Sequence, residues 1–408
     1  MILLECVLGI DIGTSGAKAL IVSGDGRMVA SAAVEYSLFH PRPGWAEQDP
    51  CVWWEASIKA IRQCLAKAEA SSCPSGSNGS GPSVEEHIKV VAVGLTGQMH
   101  GSVFLDSRGE TLGNAILWCD GRTLKQCEEI TEIVGKERLV DLTLNRALPG
   151  FTAPKILWLR EQAPETYSVV RKILLPKDYV RYRLTGTFAT DVSDASGTLL
   201  FDVARRRWSS EVLDALDIPR EWLPECFESP EVVAHVSPTA ARETGLPPGT
   251  PVVAGAGDQA AGAVGNGIVR QGQASCVLGT SGVLFWSSDT PAYDREARLH
   301  SFCHAVPGKW HLMGVTLAAG GSLRWFRDAL CEIEKERARL EGVDEYELIT
   351  ALAEQVEPGS EGLVFLPYLS GERTPYSDPK ARGAFIGLSL RHSKAHMARS
   401  VLEGVALS

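Results

Sequence analysis

At 408 residues the chain is long for one average domain and suits two or three. Hydrophobic residues make up 44% and charged residues 22%, an ordinary globular composition that predicts a core large enough to need no metal or disulfide staple. A net charge of −10 argues against nucleic acid or an anionic membrane surface as the main partner, and leaves room for a small anion held by backbone amides.

The first ten residues are apolar but carry Glu5 and no basic start, so they read as a buried strand, not a signal peptide. No run approaches the roughly 20 apolar residues that span a bilayer. Cysteines are scattered without a C-x-x-C pair or zinc spacing and read as reduced thiols of a cytoplasmic protein. Cys6-Val-Leu-Gly-Ile-Asp-Ile-Gly predicts a strand entering a glycine turn. Ala17 to Val22 and Val29 to Val34, separated by Gly24-Asp25-Gly26, complete a β-meander. Pro50 to Ala70 has helical spacing, with Trp53, Trp54, Ile58, Ile61 and Leu65 on one broad face. Ser71 to Ser83 is Ser/Gly/Pro-rich and reads as a surface linker or insertion. Ile88 to Leu95 predicts a buried strand ending at Thr96-Gly97-Gln98-Met99-His100. Residues 124 to 250 alternate helical stretches with Pro and Gly breaks, and Pro251-Val-Val-Ala-Gly opens a strand-rich section. The expected domains are 1–248 and 249–408.

Asp11-Ile-Gly13-Thr14-Ser15-Gly sets a carboxylate at a strand end before a turn of small residues. Glycine lets backbone N–H groups converge on an anion, and the two hydroxyls add donors. Asp11 can hold Mg²⁺ through water; a plain hairpin with a polar turn is the alternative. The turn is neither a Walker loop nor a dinucleotide fingerprint. Cys276-Val-Leu-Gly279-Thr280-Ser281-Gly echoes it, suggesting two related lobes or a chance repeat. The same phosphate reading applies to Gly279, Thr280 and Ser281.

Gly255-Ala-Gly257-Asp258 ends another strand where a small-residue helix should begin. Asp258 can be an N-cap, a positioned base for a phosphoryl acceptor, or both. Gln98 and His100 can bond vicinal hydroxyls, Met99 offers an apolar wall, Trp118 suits sugar C–H faces and Asp120 suits sugar hydroxyls. A satisfied structural role for His100 is the alternative.

With these segments the chain resembles the FGGY carbohydrate kinases. Asp11-Ile-Gly-Thr-Ser-Gly is similar to the family's phosphate turn. Gly150-Phe-Thr-Ala-Pro-Lys155-Ile-Leu-Trp158-Leu-Arg-Glu-Gln162 resembles its first signature. Gly383-Ala-Phe-Ile-Gly387-Leu388 with His396-Met-Ala-Arg-Ser-Val-Leu-Glu403 resembles the second, and Gly257-Asp258-Gln-Ala-Ala-Gly the catalytic block. Gln98-Met99-His100-Gly101, Leu175-Pro-Lys-Asp-Tyr179, Ser301-Phe-Cys-His304-Ala and Leu366-Pro-Tyr-Leu-Ser-Gly-Glu-Arg-Thr-Pro375 look like the members that act on xylulose.

The resemblance implies an α/β fold of two actin-like (ribonuclease H-like) domains around a cleft. Sugar would contact mainly the first and ATP the second. Asp258 would take the proton of the C5 hydroxyl of D-xylulose, Asp11 would serve Mg²⁺, and Gly13 to Ser15 and Gly279 to Ser281 would contact phosphates. Three features depart from the family. Cys119 replaces the Asn of a Trp-Asn-Asp-Gly-Arg segment, Ser71 to Ser83 is extra, and family members continue past Leu407-Ser408 with a Gly-Gly-Gly stretch at adenine and ribose. The second domain is therefore read as truncated. Other readings are a kinase for ribulose, gluconate or glycerol, a sugar-binding remnant without an adenine site, or a chaperone-like or cytoskeletal actin relative. Glycerol kinases resemble an Arg-Glu pair where this chain has Met99-His100. A homodimer is compatible with the sequence, which does not fix the oligomeric state.

Overall fold

The structure is a computed structural model that describes residues 2–72, 86–376, 378 and 380–408. The expected insertion is therefore largely outside the described residues; the helix before it runs to Ser72. The chain divides into two compact units. Unit 1 holds residues 1–271, 287–293 and 301–311; unit 2 holds 272–286, 294–300 and 312–408.

Unit 1 is built on a seven-stranded mixed sheet. β1 (Ile2–Ile12), β2 (Gly16–Ser23) and β3 (Met28–Glu35) form the antiparallel meander. The short β4 (Glu47–Gln48) leads into helix α1 (Pro50–Ser72), and β5 (Glu86–Gly97) then pairs parallel with β1. Beyond β5 lie the strands Pro251–Val253 and Val232–His235, while Ala256–Gly257 continues alongside the end of β5.

Strand parity decides what faces the core. Cys6, Leu8, Ile10 and Ile12 of β1, with Ala19 and Ile21 of β2, are buried against Trp53, Trp54, Ile61 and Cys64 of α1 and Tyr179, Val180 and Leu184 of the helix Pro176–Thr185. The intervening residues of β1, Val7, Gly9 and Asp11, fall on the opposite face. Asp11 thus sits at the end of a central strand, on the side that the apolar core leaves open.

Residues 249–271, expected to open the second domain, lie in unit 1. Strand pairing is the reason: Val252 pairs with Val93, Ala256 with Thr96 and Gly257 with Gly97.

Unit 2 contains the antiparallel pair Ala274–Leu278 and Gly282–Ser288, joined by Gly279-Thr280-Ser281. Its core gathers Phe326, Ile349, Ala353, Phe365, Ala398 and Val401. The last two lie on the helix Lys394–Ala406, which Leu407 caps. Among the described residues no helix is long and apolar enough to cross a membrane.

Candidate active site

The turn between β1 and β2 is held from within. Tyr36 Oη donates to the Gly13 carbonyl at 2.6 Å, Gln48 Nε2 to the Thr14 carbonyl at 2.7 Å, and Tyr36 N to the Ser15 carbonyl at 3.1 Å. These bonds to its carbonyls hold the backbone of the turn in place. Gly16 follows where a Cβ would stand 2.8 Å from the Val34 carbonyl, so only glycine lets β2 pack so closely on β3.

Thr14 also joins the turn to the expected sugar segment. Its hydroxyl donates to Gln98 Oε1 at 3.1 Å and accepts from Trp118 Nε1 at 3.0 Å. Gln98 Nε2 donates to Gln48 Oε1 at 3.0 Å, and Trp53 Nε1 donates to the same oxygen at 3.0 Å. Gln48 carried no signal in the sequence, yet this buried amide links turn, strand end and core helix.

Asp11 stands opposite Lys18 on one side and Thr96 on the other. Burial pushes its carboxyl above the ordinary range while the Lys18 ammonium pulls it back. Its Oδ1 is buried without a hydrogen-bond partner among the described residues. Asp11, Lys18, Thr96, Gly255 and Ala256 line a cavity of about 500 Å³ in unit 1. Sequence reasoning missed Lys18; its only signal was a lysine inside an otherwise apolar strand.

Asp258 is the first residue of the helix Asp258–Gly265, and Gly257 occupies the cap position. Asp258 is therefore not the N-cap. Burial, then the charge of Asp11, raises its carboxyl to about 7, opposed by hydrogen bonds from Gln259. Its approach is tightly packed. Gly255 has φ +76, and a Cβ there would lie 2.1 Å from the Leu95 carbonyl; one on Gly257 would lie 2.8 Å from Met99 Cγ.

His100 takes φ 67, which few residues other than glycine adopt. It is locked by its surroundings. Its carbonyl accepts from Lys155 Nζ at 2.8 Å and Thr152 Oγ1 at 3.1 Å, its Nδ1 lies 2.6 Å from the Gly197 carbonyl, and its ring meets Phe151 edge-on at 4.9 Å. The Lys155 of the signature-like segment thus frames the sugar segment.

Gln98, Met99, Trp118, Thr14 and the strand before Asp258 are brought together; Asp120 is not free to join them. Its Oδ2 accepts from Ala46 N at 2.6 Å and Arg122 Nη2 at 2.7 Å, and its Oδ1 from Arg122 N and Nε, each at 2.9 Å. Arg122 in turn lies 3.6 Å over the Trp45 ring. Asp120 is a buried clasp between residues 46 and 122.

In unit 2 the Gly279 carbonyl accepts from Gly320 N at 2.9 Å, and the Thr280 carbonyl from Ala319 N at 2.9 Å and Gly321 N at 3.0 Å. A Cβ on Gly320 would stand 2.6 Å from the Gly279 carbonyl, so this glycine, unnoticed in the sequence, shapes the turn. A cavity of about 740 Å³ in unit 2 is apolar and is lined by none of the residues expected to do chemistry.

Residues 6–265 match the model of the FGGY family of carbohydrate kinases, N-terminal domain, and residues 274–408 that of its C-terminal domain. The chain is 42% identical over 398 residues to the xylulose kinases of Escherichia coli (strain K12) and Klebsiella pneumoniae, covering 98% of this chain and 76% of each of those. It superposes on the crystal structure of xylulose kinase from Rhodospirillum rubrum with a TM-score of 0.87 at 31% identity, covering 98% of this chain and 77% of that one.

Proposed function

The chain belongs to the FGGY family of carbohydrate kinases, and from that membership we propose the following course for its reaction. It is a sugar kinase of the xylulose kinase type, transferring the γ-phosphoryl group of ATP to D-xylulose. Asp258 accepts the proton of the terminal C5 hydroxyl. The oxygen attacks the γ-phosphorus in line, the bond from that phosphorus to the β,γ-bridging oxygen breaks, and D-xylulose 5-phosphate and ADP form. The proton then passes from Asp258 to water.

The observation that carries this reading is the carboxyl of Asp258. It stands one residue beyond a strand that is level with Asp11 and beside Met99, where burial and the charge of Asp11 push it up to about 7. A base with its pKa near the working pH is half ionised there and still strong enough to take an alcohol proton as the new bond forms. Met99 and His100 would form the sugar wall, and Gln98 and Trp118 would fix Thr14 beside it. The amides of Thr14 and Ser15 would receive the transferring phosphoryl group, and Gly279, Thr280 and Ser281 of unit 2 would contact the nucleotide phosphates.

Asp11 fits Mg²⁺, with a buried carboxylate oxygen that has no hydrogen-bond partner among the described residues, at the cavity of about 500 Å³. When bound there, the ion would offset the negative charge on the phosphates. The free thiols among the described cysteines fit a reducing, cytoplasmic setting.

A coupled ADP assay on D-xylulose, D-ribulose, gluconate and glycerol tests the substrate, with Asp258→Asn testing the base. Turnover highest on D-xylulose and abolished by the substitution is the expected result. Turnover highest on another member of the panel reassigns the substrate.

A further inference from the structure

Behind the strand that leads to Asp258 lies a fully buried ionic cluster that the reaction does not use. Lys177 Nζ sits 2.7 Å from Asp178 Oδ1, 2.8 Å from Asp191 Oδ1 and 3.1 Å from Asp194 Oδ2, and Arg181 Nη2 is 2.6 Å from Asp178 Oδ1. All five side chains are inaccessible to solvent. For stability alone such a cluster is a poor choice, because apolar residues of like volume serve as well or better. Its geometry suggests another use.

Residues 254–257 lead directly to Asp258, and three of their backbone groups are gripped by residues that end in this cluster. Arg181 Nη1 donates to the Ala254 carbonyl. Gly255 N donates to the Ser229 carbonyl at 3.0 Å, and Ser229 Oγ donates to Asp191 Oδ2 at 3.2 Å. Gly257 N donates to Ser193 Oγ at 3.1 Å, and Ser193 Oγ donates to Asp191 Oδ2 at 2.5 Å. A hydroxyl has one proton. With that proton committed to Asp191, the lone pairs of Ser193 are left to the Gly257 N–H. Lys177 fixes Asp191 from the other side.

We propose that Ser193, held by Asp191 and Lys177, is a positioning residue for Asp258: it fixes the amide immediately before the base and so fixes where the carboxylate points. The proposal rests on the reading of Asp258 as the base. A serine that touches neither sugar nor nucleotide would then govern kcat and not substrate affinity.

The test compares Ser193→Ala, Ser193→Thr and Asp258→Asn in the full 408-residue chain. It uses D-xylulose and Mg·ATP below the melting temperature of each variant, with amide hydrogen exchange at Gly257. Ser193→Ala is expected to lower kcat ~10–100-fold, the range a displaced reacting group produces, with both KM values within about twofold. Its Gly257 amide should exchange faster, and Ser193→Thr, which keeps the hydroxyl, should recover most of the rate. Should Ser193→Ala fail to fold, Ser193→Cys, whose sulfur accepts weakly, is read by the same criteria. A wild-type kcat, a KM change as large as the kcat change, or unaltered exchange at Gly257 overturns the proposal. If Asp258→Asn is inert while Ser193→Ala runs at the wild-type rate, only the positioning role falls. If Asp258→Asn turns over normally, the base assignment falls and takes this inference with it.

Discussion

Asp11 and Asp258 stand on the two sides of one strand, with Asp258 two residues farther along. Thr96 pairs with Asp11 on one flank and Ala256 on the other, and Gly97 pairs with Ile12 and with Gly257. Two strand spacings across and about two residues along, ~12 Å in all, therefore separate the backbones that carry the carboxylates. That gap admits a hydroxyl and a phosphoryl group while the charge of Asp11 still acts on Asp258.

The pH dependence of kcat/KM should have an acid limb near 7. The base works only when ionised, so activity should rise as pH passes through the value to which burial and Asp11 push the Asp258 carboxyl. A profile flat down to pH 5 contradicts the assignment.

Asp258→Asn should abolish turnover and stabilise the fold at pH 8. The folded-state pKa lies above the ordinary carboxylate value, so the wild type is most stable below that ordinary value and loses stability as pH rises through about 7. Discounted for partial exposure, the gain is on the order of 2 kcal/mol. Thermal unfolding should show the two melting curves converging near pH 4.

Two neighbouring glycines should respond differently to alanine. At Gly257 the new methyl meets Met99, a flexible side chain that can yield, so sugar KM should rise about tenfold with little loss of stability. At Gly255 it meets a backbone carbonyl at positive φ, so unfolding should cost more than ~3 kcal/mol less. Urea melts and initial-rate kinetics separate the two.

His100→Ala should raise KM for the sugar at least about tenfold and leave KM for ATP within about twofold, as expected of a group that binds one substrate. Equal rises in both would remove His100 from the sugar wall.

Asp120→Ala should act on stability. It removes one carboxylate from the buried Arg122, which keeps Glu47 at 2.7 Å, and leaves the Ala46 amide without its acceptor, at a cost of ~2 kcal/mol, and should move neither KM by more than about twofold. A selective rise in sugar KM would favour the direct sugar contact that the sequence suggests.

The meander, the long first helix and the strand before Gln98 were legible because each buries one face and so carries a simple period. The turns at Gly13 and Gly257 were legible because small residues interrupt those periods beside an acid. What escaped is what depends on distant partners. Gln48, Lys18 and Ser193 are polar residues whose meaning lies in groups brought close only by the fold. The partners of Asp120, Ala46 and Arg122, are likewise set by the fold, because a sequence does not reveal which acceptors are already engaged. The return of the strands after 250 to pair with β5 is a long-range event without a local mark.

The hold of Lys155 on position 100 has a consequence for how sugar preference can diverge. The ammonium grips a main-chain oxygen, so the peptide there stays in place whatever side chain projects from it. If that side chain meets the sugar as proposed, a lineage can exchange it without rebuilding the scaffold beneath. The left-handed backbone narrows that repertoire: Val, Ile and Thr are poor choices, while Asn and Gly enter at little cost.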